Sequence, residues 1–188
     1  MKKILIFIYI LFSLTLLFYV ALPDFDFPKP VPGSLESKEP ADTESPLRRA
    51  YFTDATRSEV LNWYEEQFKH SSFHNLPLPT YLLNYPPEDS GSIIRDQTRS
   101  TFLQEIVHPM RETVFINGYE PSETDYKDRI VIEGTHFRQK IIIKFVPSSL
   151  VVRFLITLFT LASIPIIYLA FVPEVNFLKN IIKKGKTI

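Results

Sequence analysis

Cysteine is absent from the 188 residues, and glycine is scarce, at five. Without thiols there are no disulfide staples, no thiolate nucleophile and no lipoprotein attachment site. Five glycines supply no glycine-rich loop to hold a phosphate on backbone amides. No serine sits in a Gly-x-Ser-x-Gly elbow or a Ser-x-x-Lys pair, so nucleophilic catalysis has no motif to rest on. No Asn-x-Ser/Thr acceptor occurs, which removes the usual mark of a glycosylated ectodomain. Net charge is also absent, with 21 Lys+Arg against 21 Asp+Glu, but that balance conceals an uneven distribution.

What the chain does have is long apolar runs. Residues 4–22 carry no charge, and residues 150–172 carry one, Arg153. At 1.5 Å per residue each is long enough to cross a hydrocarbon core of about 30 Å. A soluble cytosolic enzyme, a multi-span transporter and a disulfide-stapled miniature are thereby excluded. The first run is longer than a secretory signal's apolar region, and the nearest cut, after Ala21, would place Tyr19 at a position that wants a small residue. An uncleaved anchor is the expectation.

Charge then orients the spans. Lys2 and Lys3 precede the first, and Lys179, Lys183, Lys184 and Lys186 follow the second against a single acid, Glu174. Between the spans, residues 23–149 hold 20 acids and 14 bases, a net charge of −6. Basic residues close to short spans stay cytoplasmic, so both termini are expected inside a plasma membrane, with the centre outside. Lys2, Lys3, Arg153, Lys179, Lys183 and Lys184 are the expected bilayer anchors, with the Arg153 stem snorkelling outward to the headgroups.

The expected organisation is a cytoplasmic start (1–3), span one (4–22), a tether (23–46), a folded domain (47–147), span two (148–172) and a basic cytoplasmic tail (173–188). The tether follows from six prolines and six acids between residues 22 and 46, which favour extended chain. Phe25 and Phe27 within it have two possible homes, the membrane interface or the folded domain. Only a few residues separate the domain's last strand from span two, so motion is expected to couple through that span.

Within the domain, Arg48–Phe52 reads as a strand. Thr56-x-x-Glu59 is a capping box opening a helix whose stripe is Val60, Trp63, Tyr64, Gln67 and Phe68. Residues 81–85 read as an edge strand, and Pro87-Glu88-Asp89 as the start of a second helix running to Pro109. Residues 112–119 are rich in β-formers with a turn at Asn117-Gly118, and Arg129–Glu133 with His136–Val146 form a hairpin. The expected fold is α+β: a small, mainly antiparallel sheet with two or more helices, between two transmembrane helices.

Candidate chemistry is sparse. Glu66, His70 and His74 recur at i, i+4 and i+8, a spacing that suits a metal only if the helix runs unbroken past Asn75. Solvated histidines at a helix end explain them better, and no metal or other cofactor is expected. Arg95, Asp96 and Arg99 lie on the expected second helix, where the two arginines, one turn apart, could clamp a phosphate or carboxylate. Trp63 and Tyr119 are aromatic candidates for partner contact. Arg48 and Arg49 either flank the first strand or meet lipid. A net-negative domain argues against nucleic acid.

Arg95-Asp96-Gln97-Thr98-Arg99, Glu105-Ile106-Val107-His108-Pro109 and residues 115–121 (Phe-Ile-Asn-Gly-Tyr-Glu-Pro) resemble stretches in uncharacterised two-span membrane proteins of small-genome bacteria. The resemblance implies architecture alone and carries no activity. The leading expectation is a non-enzymatic accessory or scaffold protein presenting its outer domain to an envelope or membrane protein partner. A ligand-sensing domain signalling through span two comes second; its mark would be a concave pocket lined by Arg95 or Arg99 and aromatics. An envelope hydrolase, needing facing carboxylates or a His–carboxylate pair, comes third.

Overall fold

The computed structural model describes residues 2–95, 99–122 and 129–185. The chain divides into two units, one formed by residues 1–22 and 149–188, the other by residues 23–148.

The first unit is a pair of helices, α1 (Lys2–Ala21) and α4 (Leu150–Gly185). Residues 3–21 of the one and 150–174 of the other are long and apolar enough to cross a membrane. Tyr9 bonds the Leu161 carbonyl, and Arg153 bonds the Leu22 carbonyl at 3.0 Å. Because the later residue of α1 meets the earlier residue of α4, the two run antiparallel. Arg153 is buried, giving its guanidinium to a carbonyl just past the end of α1. Thr157 closes back on the Arg153 carbonyl at 2.7 Å. α4 stays helical for 36 residues despite Pro165 and Pro173, a length of about 54 Å. The lysines at 179, 183 and 184 thus sit on the helix that contains the apolar run.

The second unit is α+β, built on a six-stranded antiparallel sheet in the order β1-β2-β8-β5-β4-β3. The strands are β1 (Leu35–Glu36), β2 (Arg48–Thr53), β3 (Tyr81–Tyr85), β4 (Phe102–Val107), β5 (Thr113–Tyr119) and β8 (Gln139–Val146). β6 (Ile130–Ile132) and β7 (Thr135–Phe137) form a separate hairpin. β8 is nearly continuous apolar because it is flanked on both edges and buried on both faces. One face packs Ile141, Ile143, Val114 and Ile116 against α2 (Arg57–Phe68), whose Val60, Leu61, Tyr64 and Phe68 are buried. The capping box forms as expected: the Thr56 hydroxyl accepts from the Glu59 amide while Glu59 accepts from the Thr56 amide at 2.7 Å. The opposite face holds a smaller cluster of Ala50, Leu103, Ile142 and Ile94.

Four expectations are corrected. The second helix shrinks to a 3-10 turn at residues 87–89 and a single turn, α3 (Ser90–Ile93); residues 102–107 are strand β4. Phe102, Leu103, Ile106 and Val107 fit a helical stripe, but here both faces of a strand are covered, and a doubly buried strand shows no alternation. Asn117-Gly118 is not a turn but lies within β5, where Gly118 lets the Phe102 ring lie across it; a Cβ there would come 2.0 Å from that ring. The expected strand 136–146 breaks at Arg138, whose amide turns aside to Asp54 at 3.0 Å.

The fourth correction concerns the tether, because residues 23–46 belong to the folded unit. Val31 is in the core, Phe25 stacks on Phe68 at 5.2 Å, and Phe27 meets Phe145 edge-on at 6.5 Å. The Lys29 backbone donates to Gln67 and accepts from Trp63 Nε1 at 3.0 Å. The prolines keep the segment extended without forbidding burial, because the apolar residues between them find sites on α2 and β8. The segment then adds β1 to the sheet and a 3-10 turn at residues 40–42.

Candidate functional site

A fully buried group of ionisable side chains lies in the β4–β5 connection. His108 and Arg111 close that turn through backbone bonds, with Met110 in the left-handed region at φ +63°. His108 Nδ1 is 2.9 Å from Glu112 Oε1, and its Nε2 is 2.6 Å from the Phe68 carbonyl at the end of α2. Arg111 donates to the same Glu112 oxygen at 3.1 Å and to the Pro23 carbonyl at 2.9 Å. Burial alone would raise the Glu112 pKa. Hydrogen bonds from His108 and its own backbone, with the charge and hydrogen bond of Arg111, outweigh that and hold it down at about 2. All three side chains are fully buried, His108 against the Phe25 and Phe68 rings, which closes the group to substrate. The group joins the N-terminal segment, the end of α2 and the sheet, which makes it a structural lock. His108-x-x-x-Glu112 is visible in the sequence, but only the turn at Pro109 makes the spacing a contact.

A cleft of about 580 Å³ is lined by Asp54, Glu120, Arg129, His136 and Arg138. Two carboxylates and a histidine are thus among its lining residues. Both carboxylates are already engaged by Arg138, Glu120 through Nε at 2.6 Å and Asp54 through the backbone amide.

A second cleft, of about 460 Å³, is lined by Glu44, Ser45, Leu47, Arg48, Ile94, Arg95 and the segment from Lys144 to Pro147. Arg48 of β2 and Lys144 of β8 are direct cross-strand partners. Arg48 is buried; it donates to the Arg95 carbonyl at 3.3 Å and lies 3.8 Å from Glu44. Arg95 reaches the same carboxylate at 2.7 Å, from a backbone at φ +69°. Lys144 Nζ donates to the Ile93 carbonyl at 2.5 Å. Leu47, Ile94 and Val146 add apolar wall; the one aromatic, Phe145, turns its ring into the core against Phe27 and Phe68.

The expected site residues scatter. Arg95 lines the basic cleft. Arg99 is exposed, and neither arginine lies on a helix, so the one-turn helical spacing expected of the pair is replaced by irregular chain. Asp96 lies outside the described residues. Trp63 is half-buried against Lys29, and Tyr119 ends β5 opposite Lys140. Glu66 pairs with Lys69; α2 ends at Phe68, and His74 adopts φ +51°, which breaks the row with His70. Among the described residues no three His, Asp or Glu side chains gather as a metal site.

One further surface stands out. β3 ends the sheet, and its Tyr81, Leu82 and Leu83 are 57%, 38% and 43% exposed. The opposite edge is blunted by the two-residue β1 and the ion pair of Arg49 with Glu36. Comparison with protein-family models, curated proteins and solved structures found no match to this chain.

Proposed function

We propose that the chain is a non-enzymatic accessory or scaffold protein of the plasma membrane, anchored by α1 and α4. Both termini face the cytoplasm in this reading, and the α+β unit is presented to an envelope or membrane protein partner outside. The observation that carries it is β3, an uncharged, largely apolar strand left at the sheet edge. Such an edge offers unpaired main-chain groups to an extended segment, and alternate side chains set specificity. Prolines at 77, 79, 86 and 87 bound it, limiting a docked strand to about five residues. The lysines outside each apolar run support the orientation.

The test places a photo-crosslinking amino acid at Leu83 and, as a control, at the exposed Lys38, in intact cells. One membrane or envelope protein captured at 83 and not at 38 is expected. Capture of nothing, or only of another copy of this chain, would overturn the reading. Orientation is tested through the absent cysteines: Ser72→Cys should react with an impermeant maleimide in intact cells, and Thr187→Cys only after permeabilisation.

A second reading, a ligand-sensing domain signalling through α4, is favoured by the basic cleft around Arg95.

A further inference from the structure

The two ends of the β2–β8 pair treat their cations differently. At one end Lys140 bonds two carboxylates, Glu39 at 2.8 Å and Asp42 at 2.7 Å. At the other, Arg48 and Lys144 stand directly opposite each other, with Arg95 beside them, and Glu44 is the one carboxylate among the described residues lining the cleft. Like charges placed opposite across a strand pair are unfavourable unless an anion is shared between them. Arg48 is only 4% exposed, and its Nε makes no hydrogen bond. A buried guanidinium donor left unsatisfied is costly, so a group that accepts from it stabilises the fold.

We propose that this cleft binds a phosphate-type anion, supplied either as free phosphate or as a phospholipid headgroup. Phosphate oxygens accept from a guanidinium in bidentate fashion and from an ammonium as a point charge, which matches Arg48 with Arg95 on one side and Lys144 on the other. Leu47, Ile94 and Val146 provide an apolar border suited to whatever carries the phosphate. Glu44 competes with the anion for Arg95 and occupies the site until one arrives. The inference is independent of partner docking at β3, since the two surfaces share no residue.

The test uses the full chain in phosphatidylcholine nanodiscs, titrated calorimetrically with inorganic phosphate. A second arm measures enrichment of phosphatidylglycerol over phosphatidylcholine around the protein in mixed nanodiscs. Saturable phosphate binding in the first arm identifies a soluble ligand; enrichment in the second identifies a headgroup. In whichever arm responds, Lys144→Gln should weaken binding about tenfold, as loss of one charge-assisted contact does. Glu44→Gln should strengthen it several-fold by removing the competing carboxylate, an effect that misfolding does not mimic. Fluorescence of Trp63, the one tryptophan, reports folding of each variant. No response in either arm, or Lys144→Gln and Glu44→Gln variants that bind like the original chain, would overturn the proposal.

Discussion

Glu112 shows how single side chains hold this fold. Its carboxylate accepts from His108 and Arg111, which in turn reach the Phe68 and Pro23 carbonyls, so one acid positions contacts to two other segments. Glu112→Gln removes the buried carboxylate that His108 and Arg111 share and should destabilise the domain by about 3–5 kcal/mol at neutral pH. Chemical unfolding followed by Trp63 fluorescence would measure it. The pH dependence has a definite sign. Because the folded pKa lies below the unfolded value of about 4.3, ionised Glu112 favours folding fully above that value. That contribution should disappear as pH falls from about 4.3 toward about 2, and the Gln variant should lack this part of the acid limb. An acid limb of identical slope in the two proteins would show that another carboxylate governs it.

Among the elements, β4 and β5 carry the most specific constraint. Phe102 and Gly118 are cross-strand partners, and the ring lies where a Cβ would be. Phe102 is 2% exposed, with the Arg57 guanidinium 4.8 Å from its ring centroid. Gly118→Ala should therefore cost at least about 1–3 kcal/mol, the range for overpacking a core. The companion Phe102→Leu, by shortening the ring, should recover part of the loss in the same unfolding assay; additive losses would mean the two positions are not coupled. This pairing also marks the limit of what the sequence reveals. α2 is legible because its capping box and stripe are local, and β8 because five of six residues in a row were apolar or β-branched beside a turn. β4 is not, since its apolar spacing fits a helical stripe and shows no alternation, and only pairing with β3 and β5 makes it a strand. The same holds for the basic cleft. Arg95 is recognisable as an anion ligand, but its companions Arg48 and Lys144 lie about 50 residues away on either side and meet it only through the β2–β8 register.

For the whole molecule, the division between tether and domain moves from Pro46 to the end of α1. Composition points to a leash, since prolines and acids dominate residues 23–46, yet three apolar residues among them reach the core. The two views predict opposite outcomes for one experiment. If residues 23–46 were a leash, truncating Phe25 or Val31 would leave domain stability within about 0.5 kcal/mol, as for surface sites. In the folded arrangement Val31 is 7% exposed, and Phe25 stacks on Phe68 and tilts against His108. Phe25→Ala should cost about 3 kcal/mol and Val31→Ala about 1–2 kcal/mol, the ordinary penalties for emptying a core position. Phe25→Ala also removes the ring packed against His108, the partner of Glu112, and should therefore alter the acid limb described above, whereas Val31→Ala should not. A protein whose Trp63 unfolding curve ignores both substitutions would return the segment to solvent and detach the Pro23 carbonyl from Arg111. One in which Phe25→Ala alters the acid limb would establish that the strand-like lead from α1 is a structural layer of the sheet domain.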